Sequence, residues 1–150
     1  MTVYGTLCFI IKDNKVLGSS LIAQKFTSER YFQSRPSAGD YATIPSGASN
    51  LGPTSAAFKE AVDKKRAQLG ENAPADLLTT SGSGLDPHLS PEGIRFQIPK
   101  LVKARNLDEA SSKKLNDLVT TMIEGPQFGF LGNPRVNVLA LNLAVDAMFP

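Results

Sequence analysis

The chain has 150 residues, of which 41% are hydrophobic and 20% charged. That is one domain of ordinary size with enough apolar material for a core, which excludes intrinsic disorder. Its 16 basic and 14 acidic residues leave a net charge of +2 without a basic stripe, which argues against a general nucleic-acid binder, and a lone cysteine with a lone histidine excludes an internal disulfide and a His/Cys zinc cluster.

Taken in chain order, Tyr4 to Ile11 and Lys15 to Ser19 read as two strands around an Asp13-Asn14 turn, a β-hairpin that holds Cys8 as a buried strand residue. Ser20 to Phe26 reads as a short helix. Phe32 to Pro53, rich in Gly, Pro and Ser, reads as a long ordered loop. Thr54 caps a helix to about Leu69, with Phe58, Ala61, Val62 and Leu69 on one face and Gly70 as its stop. Lys64-Lys65-Arg66 is a solvated helix face. Ala75 to Thr80 reads as a strand. Ser90 and Pro91 are an N-cap and a first helical residue, opening a helix to about Ala104 kinked at Pro99.

Asp108 to Glu124 carries the clearest helical period, with Leu115, Leu118, Val119, Met122 and Ile123 as its core stripe and Gly125-Pro126 as its stop. Gly129 to Pro134 is a turn. Val136 to Leu141 reads as a strand, and Asn142 to Met148 as a terminal helix or strand extension. The sum is an α+β fold: one domain over residues 1–150, an N-terminal β-hairpin and a small sheet packed with three or four helices.

The segment Ser81-Gly82-Ser83-Gly84-Leu85-Asp86-Pro87-His88-Leu89-Ser90-Pro91 concentrates the chemistry. Its glycines open backbone amides to a ligand, and it runs into a helix N-terminus, where anions bind. The plain alternative is a set of turns, with Asp86 closing an Asx-turn and His88 a hydrogen-bonding loop residue. A second alternative pairs Asp86 and His88 as acid and base of a small hydrolase or transferase, using a nearby serine; it requires the groups to converge in one pocket. Arg35, close to Tyr31 and Phe32, is suited to stacking on a base, pairing with a carboxylate or bonding loop carbonyls.

Several blocks together resemble the C-subunit family of the bacterial Kdp potassium-transporting ATPase. They are Gly18 to Phe26, Tyr31-Phe32-Gln33-Ser34-Arg35-Pro36-Ser37-Ala38, Ser46-Gly47-Ala48-Ser49-Asn50-Leu51, Ser81 to His88, Gln97-Ile98-Pro99 and Lys103-Ala104-Arg105-Asn106-Leu107. Gly129-Phe130-Leu131-Gly132, Pro134 to Leu139 and Leu141-Asn142-Leu143-Ala144 complete the series. Order and approximate spacing agree from about Gly18 to Asp146. Ala23, Ser34 and Ala48 stand where the family has glycine, and Ala48 weakens any tight wrapping of a phosphate by its loop. The family begins with a membrane-spanning helix, whereas the longest clean apolar run near the start is Leu7 to Ile11, far short of the roughly 20 residues a span needs. The chain therefore reads as the family's soluble domain without its anchor.

The resemblance implies a non-catalytic accessory subunit of an ATP-driven potassium uptake complex in the bacterial inner membrane. Its partners would be the catalytic and the channel-like subunits, and its full-length form would be anchored by the helix missing here. It also implies a catalytic-chaperone role, in which a transient ATP contact raises the pump subunit's affinity. Candidate contacts are Ser46, Gly47, Ser49 and Asn50, similar to the serine-glycine signature loop of ABC transporters, with Ser81, Gly82, Ser83 and Gly84 from the second loop; Arg35, Asp86 and His88 are further loop candidates. No metal is expected. A single span ahead of a large domain often places that domain outside the cytoplasm, where it would dock on the channel-like subunit and meet no ATP. The sequence lacks a P-loop, a G-x-G-x-x-G, an Asp-Lys-Thr-Gly-Thr phosphorylation segment, a Thr-Val-Gly-Tyr-Gly filter and a G-x-S-x-G elbow. ATP hydrolysis and the pore would thus belong to other subunits.

Overall fold

The computed structural model describes residues 3–4, 9–12 and 14–150. The expected N-terminal hairpin is present, within a three-stranded antiparallel sheet: β1 (Val3–Tyr4), β2 (Phe9–Lys12) and β3 (Lys15–Ser19). Tyr4 to Ile11 is therefore not one strand, because Val3 pairs with Ile11 and Tyr4 with Ile10. Lys12 pairs with Lys15, and Asn14 takes the left-handed φ of 61° that a two-residue hairpin turn requires. The placements expected for Cys8 and Asp13 lie outside the described residues.

Ser20 to Phe26 forms a turn and then irregular extended chain, not a helix. The Ser19 hydroxyl accepts the Leu21 N–H, and the Ala23 N–H donates to the Leu85 carbonyl at 2.9 Å. A bond to a distant segment thus takes the place of a helical one. The long loop after Phe32 is as expected. It leads into α1 (Ala56–Leu69), which is capped by Ser55 rather than Thr54: the Ser55 hydroxyl accepts the Phe58 N–H at 3.1 Å. Gly70 ends the helix at φ 106°. No residue of α1 is buried, and its expected face of Phe58, Ala61, Val62 and Leu69 stays partly or fully exposed.

Ala75 to Thr80 is not a strand. Ala75–Leu78 is a single helical turn, α2, which Pro74 enters at φ −59° and the Thr79 hydroxyl closes on the Ala75 carbonyl. The short strand β4 (His88–Leu89) comes next, then α3 (Pro91–Arg105), capped by the Ser90 hydroxyl on the Gly93 N–H at 2.9 Å. Helix α3 runs unbroken through Pro99 and ends on Asn106 in the left-handed conformation.

Helix α4 (Glu109–Thr121) buries Leu115 and Val119 fully, with Leu118, Met122 and Ile123 packed around them, as its period predicts. The expected strand from Val136 to Leu141 stops after two residues, as β5 (Val136–Asn137), and the chain continues as α5 (Val138–Met148). Asn137 is the reason: its side-chain oxygen accepts the Ala140 N–H and starts a helix, while its amide donates to the Ser20 carbonyl at 2.7 Å. An all-apolar run such as Val138 to Leu141 has no period that tells helix from strand. Strands β4 and β5 pair antiparallel, completing the small sheet. The main core joins Phe32, Leu77, Leu89 and Val136 to the inner faces of α3, α4 and α5.

The irregular Tyr31–Gln33 segment is fixed between α3 and α5. The Asn142 side chain accepts the Phe32 N–H and donates to the Phe32 carbonyl, both at 2.9 Å. Gln97 does the same for Gln33, at 2.7 and 3.2 Å. Two side-chain amides thus replace the neighbouring strands this segment lacks. Arg105, its side chain 2% exposed, donates to the Arg30 and Phe149 carbonyls and pairs with Asp146 at 2.6 Å, its guanidinium 5.2 Å from the centre of the Tyr31 ring. The Tyr31 hydroxyl donates to the same Asp146, and this bond, with burial, raises the phenol's pKa.

Asn142→Leu leaves both polar groups of Phe32 buried without partners and should cost about 2–4 kcal/mol, measured by urea unfolding; a wild-type midpoint would refute the clamp. Asp108 caps α4 by accepting from Ser111, and the bonds from Ser111 hold its carboxyl below the usual range. A lowered folded-state pKa stabilises above the unfolded-state value and is lost as pH falls through the folded one. Asp108→Asn, which keeps the acceptor but not the titration, should therefore flatten the fall of the melting temperature between roughly pH 5 and pH 2.

Candidate functional site

The structure brings the two candidate loops together. Gly84, at φ 70°, lies so close to the 46–50 loop that a β-carbon there would stand 2.7 Å from the Gly47 carbonyl oxygen and 3.3 Å from the Ser37 hydroxyl. The Thr80 hydroxyl bonds the Ser49 hydroxyl at 3.2 Å. Ala48 is not among the left-handed residues; Asn50 takes that conformation instead, at φ 52°. Alanine in place of the family's glycine at 48 is thus accommodated without strain.

Part of the polar set of these loops is used within the protein. Ser81 is 4% exposed, its hydroxyl accepting the Asp86 N–H while its carbonyl accepts the Gly84 N–H. The Ser83 hydroxyl accepts the Leu85 N–H. Ser46, Gly47, Asn50, Gly82 and Ser83 remain exposed. The N-terminus of α3 already holds an anion from this chain: Asp76 accepts the Ser90 N–H at 2.8 Å, and the N-cap hydroxyl takes the Gly93 N–H.

Arg35, Asp86 and His88 meet behind the loops. Asp86 closes the expected Asx-turn by accepting the His88 N–H at 3.0 Å. One of its oxygens lies 3.5 Å from His88 Nδ1 and the other 3.6 Å from the Arg35 guanidinium. Arg35 also donates to the Thr80 carbonyl and the Thr79 hydroxyl, while Tyr41 donates to the Arg35 carbonyl at 2.8 Å. Arg35 therefore combines a carboxylate with loop acceptors. It does not stack on its sequence neighbours: Phe32 is wholly buried in the core, and Tyr31 faces Arg105. His88 lies on strand β4 rather than in a loop. No serine hydroxyl hydrogen-bonds its ring among the described residues, and neither Asp86 nor His88 lines the three best-formed clefts, so the convergence in one pocket that the hydrolase reading requires is not seen among them. Among the described residues no cluster of three His, Cys, Asp or Glu could hold a metal.

A cleft of about 490 Å³ lies elsewhere, between α1, α2, α3 and the Glu29–Tyr41 segment. Tyr41, Phe96, Leu69 and Leu77 form its apolar walls, with Lys65 and Lys100 at its margin. Burial raises the pKa of the Tyr41 phenol. The Ser34 hydroxyl and Arg35 Nε are buried without a partner. Sequence reasoning missed this cleft because its walls come from four separated segments. It also missed the structural roles of Gln97, Arg105 and Asn142, for which a polar residue within an apolar run, as in Leu141-Asn142-Leu143, was the available signal.

Among the described residues the site combines an ion-pair cluster with two loops bonded to one another. Residues 4–147 match the family KdpC: K+-transporting ATPase, c chain. A potassium-transporting ATPase KdpC subunit of Methylobacterium nodulans is 48% identical over 156 positions, covering 91% of this chain and 76% of the relative. KdpC subunits of Bradyrhizobium diazoefficiens (49% identical; 91% and 76% covered) and Gloeobacter violaceus (50%; 90% and 72%) are similarly close. The chain belongs to the KdpC family, the non-catalytic C subunit of the Kdp potassium-transporting ATPase complex. Among the described residues no helix is long and apolar enough to cross a membrane.

Gly84→Ala introduces a β-carbon at positive φ against the Gly47 carbonyl and should destabilise by roughly 1–3 kcal/mol. Gly82→Ala, where a β-carbon meets nothing within 4 Å, should change stability by less than about 0.5 kcal/mol. Thermal melts of the two variants decide; equal midpoints would mean that the loops do not press on one another.

Proposed function

We propose that the chain serves the Kdp complex as a docking and assembly subunit, presenting a rigid surface to the catalytic and channel-like subunits rather than a nucleotide site of its own. The observation that supports this is the inward use of the candidate loops. Ser81, Ser83, Thr80 and Ser49 bond within the pair of loops, Asp76 holds the anion position of α3, and Arg35 is engaged by Asp86, Thr79 and Thr80. A phosphate would have to displace these partners. Such a domain, anchored in the bacterial inner membrane by the family's N-terminal helix, would work on the outer face, against the channel-like subunit.

A second reading keeps the catalytic-chaperone role with transient ATP. It is favoured by the juxtaposition of exposed Ser46, Gly47 and Asn50 with exposed Gly82 and Ser83 across the Gly84 contact. Isotope-labelled protein titrated with ATP, with ADP and phosphate as controls, separates the two. The docking reading expects an amide spectrum unmoved at millimolar ATP, together with co-purification of the protein with the other Kdp subunits. Saturable shifts at Ser46–Asn50 or Ser81–His88 would establish the chaperone reading instead, and failure to co-purify would remove the docking one.

A further inference from the structure

Residues 124–135 form an irregular hairpin. At its base Glu124 and Arg135 exchange both backbone hydrogen bonds, at 2.8 and 3.0 Å, and their side chains pair at 3.0 Å. Nearer the tip Gln127 and Leu131 exchange two more at 2.9 Å, the Gly129 N–H donates to the Pro126 carbonyl, and the Phe130 N–H to the Gln127 carbonyl. This tied-down tip carries Phe128, 87% exposed, Phe130, 76% exposed, and Leu131, 50% exposed. Phe128 stands at φ 53°, a conformation disfavoured for a bulky side chain. Strain at an exposed aromatic is unexplained by the domain's own packing.

We infer that this tip is an aromatic anchor that seats Phe128 and Phe130 in an apolar pocket of another Kdp subunit. The inference rests on the docking reading and names its contact surface. The N–H groups of Gln127, Gly129, Phe130 and Leu131 are all paired within the hairpin, which lowers the desolvation cost of burying the tip against a partner. Phenylalanine has only two side-chain torsions to lose on binding, and buried aromatic anchors dominate interface energies. A lipid surface fits less well: the hairpin's two formal charges, Glu124 and Arg135, pair with each other at its base, and its tip carries no lysine or arginine, whereas peripheral membrane binding draws on basic residues. Membership of a multi-subunit ATPase supplies protein acceptors.

The test compares wild type with Phe128→Ser/Phe130→Ser, each co-expressed with the other Kdp subunits, and measures recovery of the complex. Both side chains are exposed, so the melting temperature should not fall. Recovery should drop by about 100-fold, roughly tenfold per anchor, while Phe128→Leu/Phe130→Leu retains most of it. A photo-crosslinking residue at position 130 should yield an adduct with another Kdp subunit. Wild-type recovery of the serine variant, or adducts only with lipid or with a second copy of this chain, overturns the inference while leaving the docking reading in place. If wild type itself is not recovered with the other subunits, both fall.

Discussion

Two side-chain amides hold the fold together at a place where regular structure is missing. The Tyr31–Gln33 segment has buried polar groups and no neighbouring strand. Asn142 on α5 and Gln97 on α3 each supply one donor and one acceptor to it. A buried backbone group left unpaired costs more than a made bond contributes, so the clamp acts chiefly by avoiding a penalty. It also fixes the spacing of α3 and α5, because both amides must reach the same stretch of chain. Arg105, Asp146 and Tyr31 repeat the logic at the end of the segment, where one guanidinium ties two carbonyls and a carboxylate.

The course of the chain beyond Gln33 depends on that anchorage. Arg35 emerges at a defined position and reaches Asp86, Thr79 and Thr80, which stitches the long loop to the Ser81–His88 segment. The Gly84–Gly47 approach then brings the 46–50 loop onto the same seam. A glycine- and serine-rich stretch that looks like an open cradle becomes a seam once its partner loop is in place. Anion-binding loops owe their affinity to unsatisfied amides, and several of these amides and hydroxyls are satisfied within the protein.

The parts of this fold that were legible in the sequence are those governed by local rules. The Ser90-Pro91 start of α3, the stripe Leu115 to Ile123 on α4, the Gly70 stop and the Asx-turn at Asp86 depend on residues a few positions apart. The errors lie where a distant partner decides. Ser20 to Phe26 stays out of a helix, its Ala23 bonding Leu85, and Ala75 to Leu78 coils where a strand was expected, its Asp76 accepting from Ser90. Val138 to Leu141 is apolar throughout and is turned into helix by one cap, Asn137. For the candidate loops, the residue types and spacing were legible, but which segments meet and where their polar groups point depends on the mutual packing of the two loops.

The blocks that carry the family resemblance acquire a common meaning from this geometry. Gln97, Arg105, Asn142, Asn137 and the Arg35–Asp86 pair all lie within them, and each makes bonds between segments far apart in sequence. In an enzyme, a polar motif of this density would point to a reacting group. In a non-catalytic subunit it maintains a shape: a small core cannot alone fix long loops, and side chains that bond backbone from a distance do so at the cost of being irreplaceable by residues of like polarity but different reach. The Gly129-Phe130-Leu131-Gly132 block departs from that pattern, since its aromatic side chain bonds nothing within the domain and faces solvent. An exposed aromatic side chain within a family motif, on a backbone tied down by the domain itself, is the natural place to look for contact with another chain.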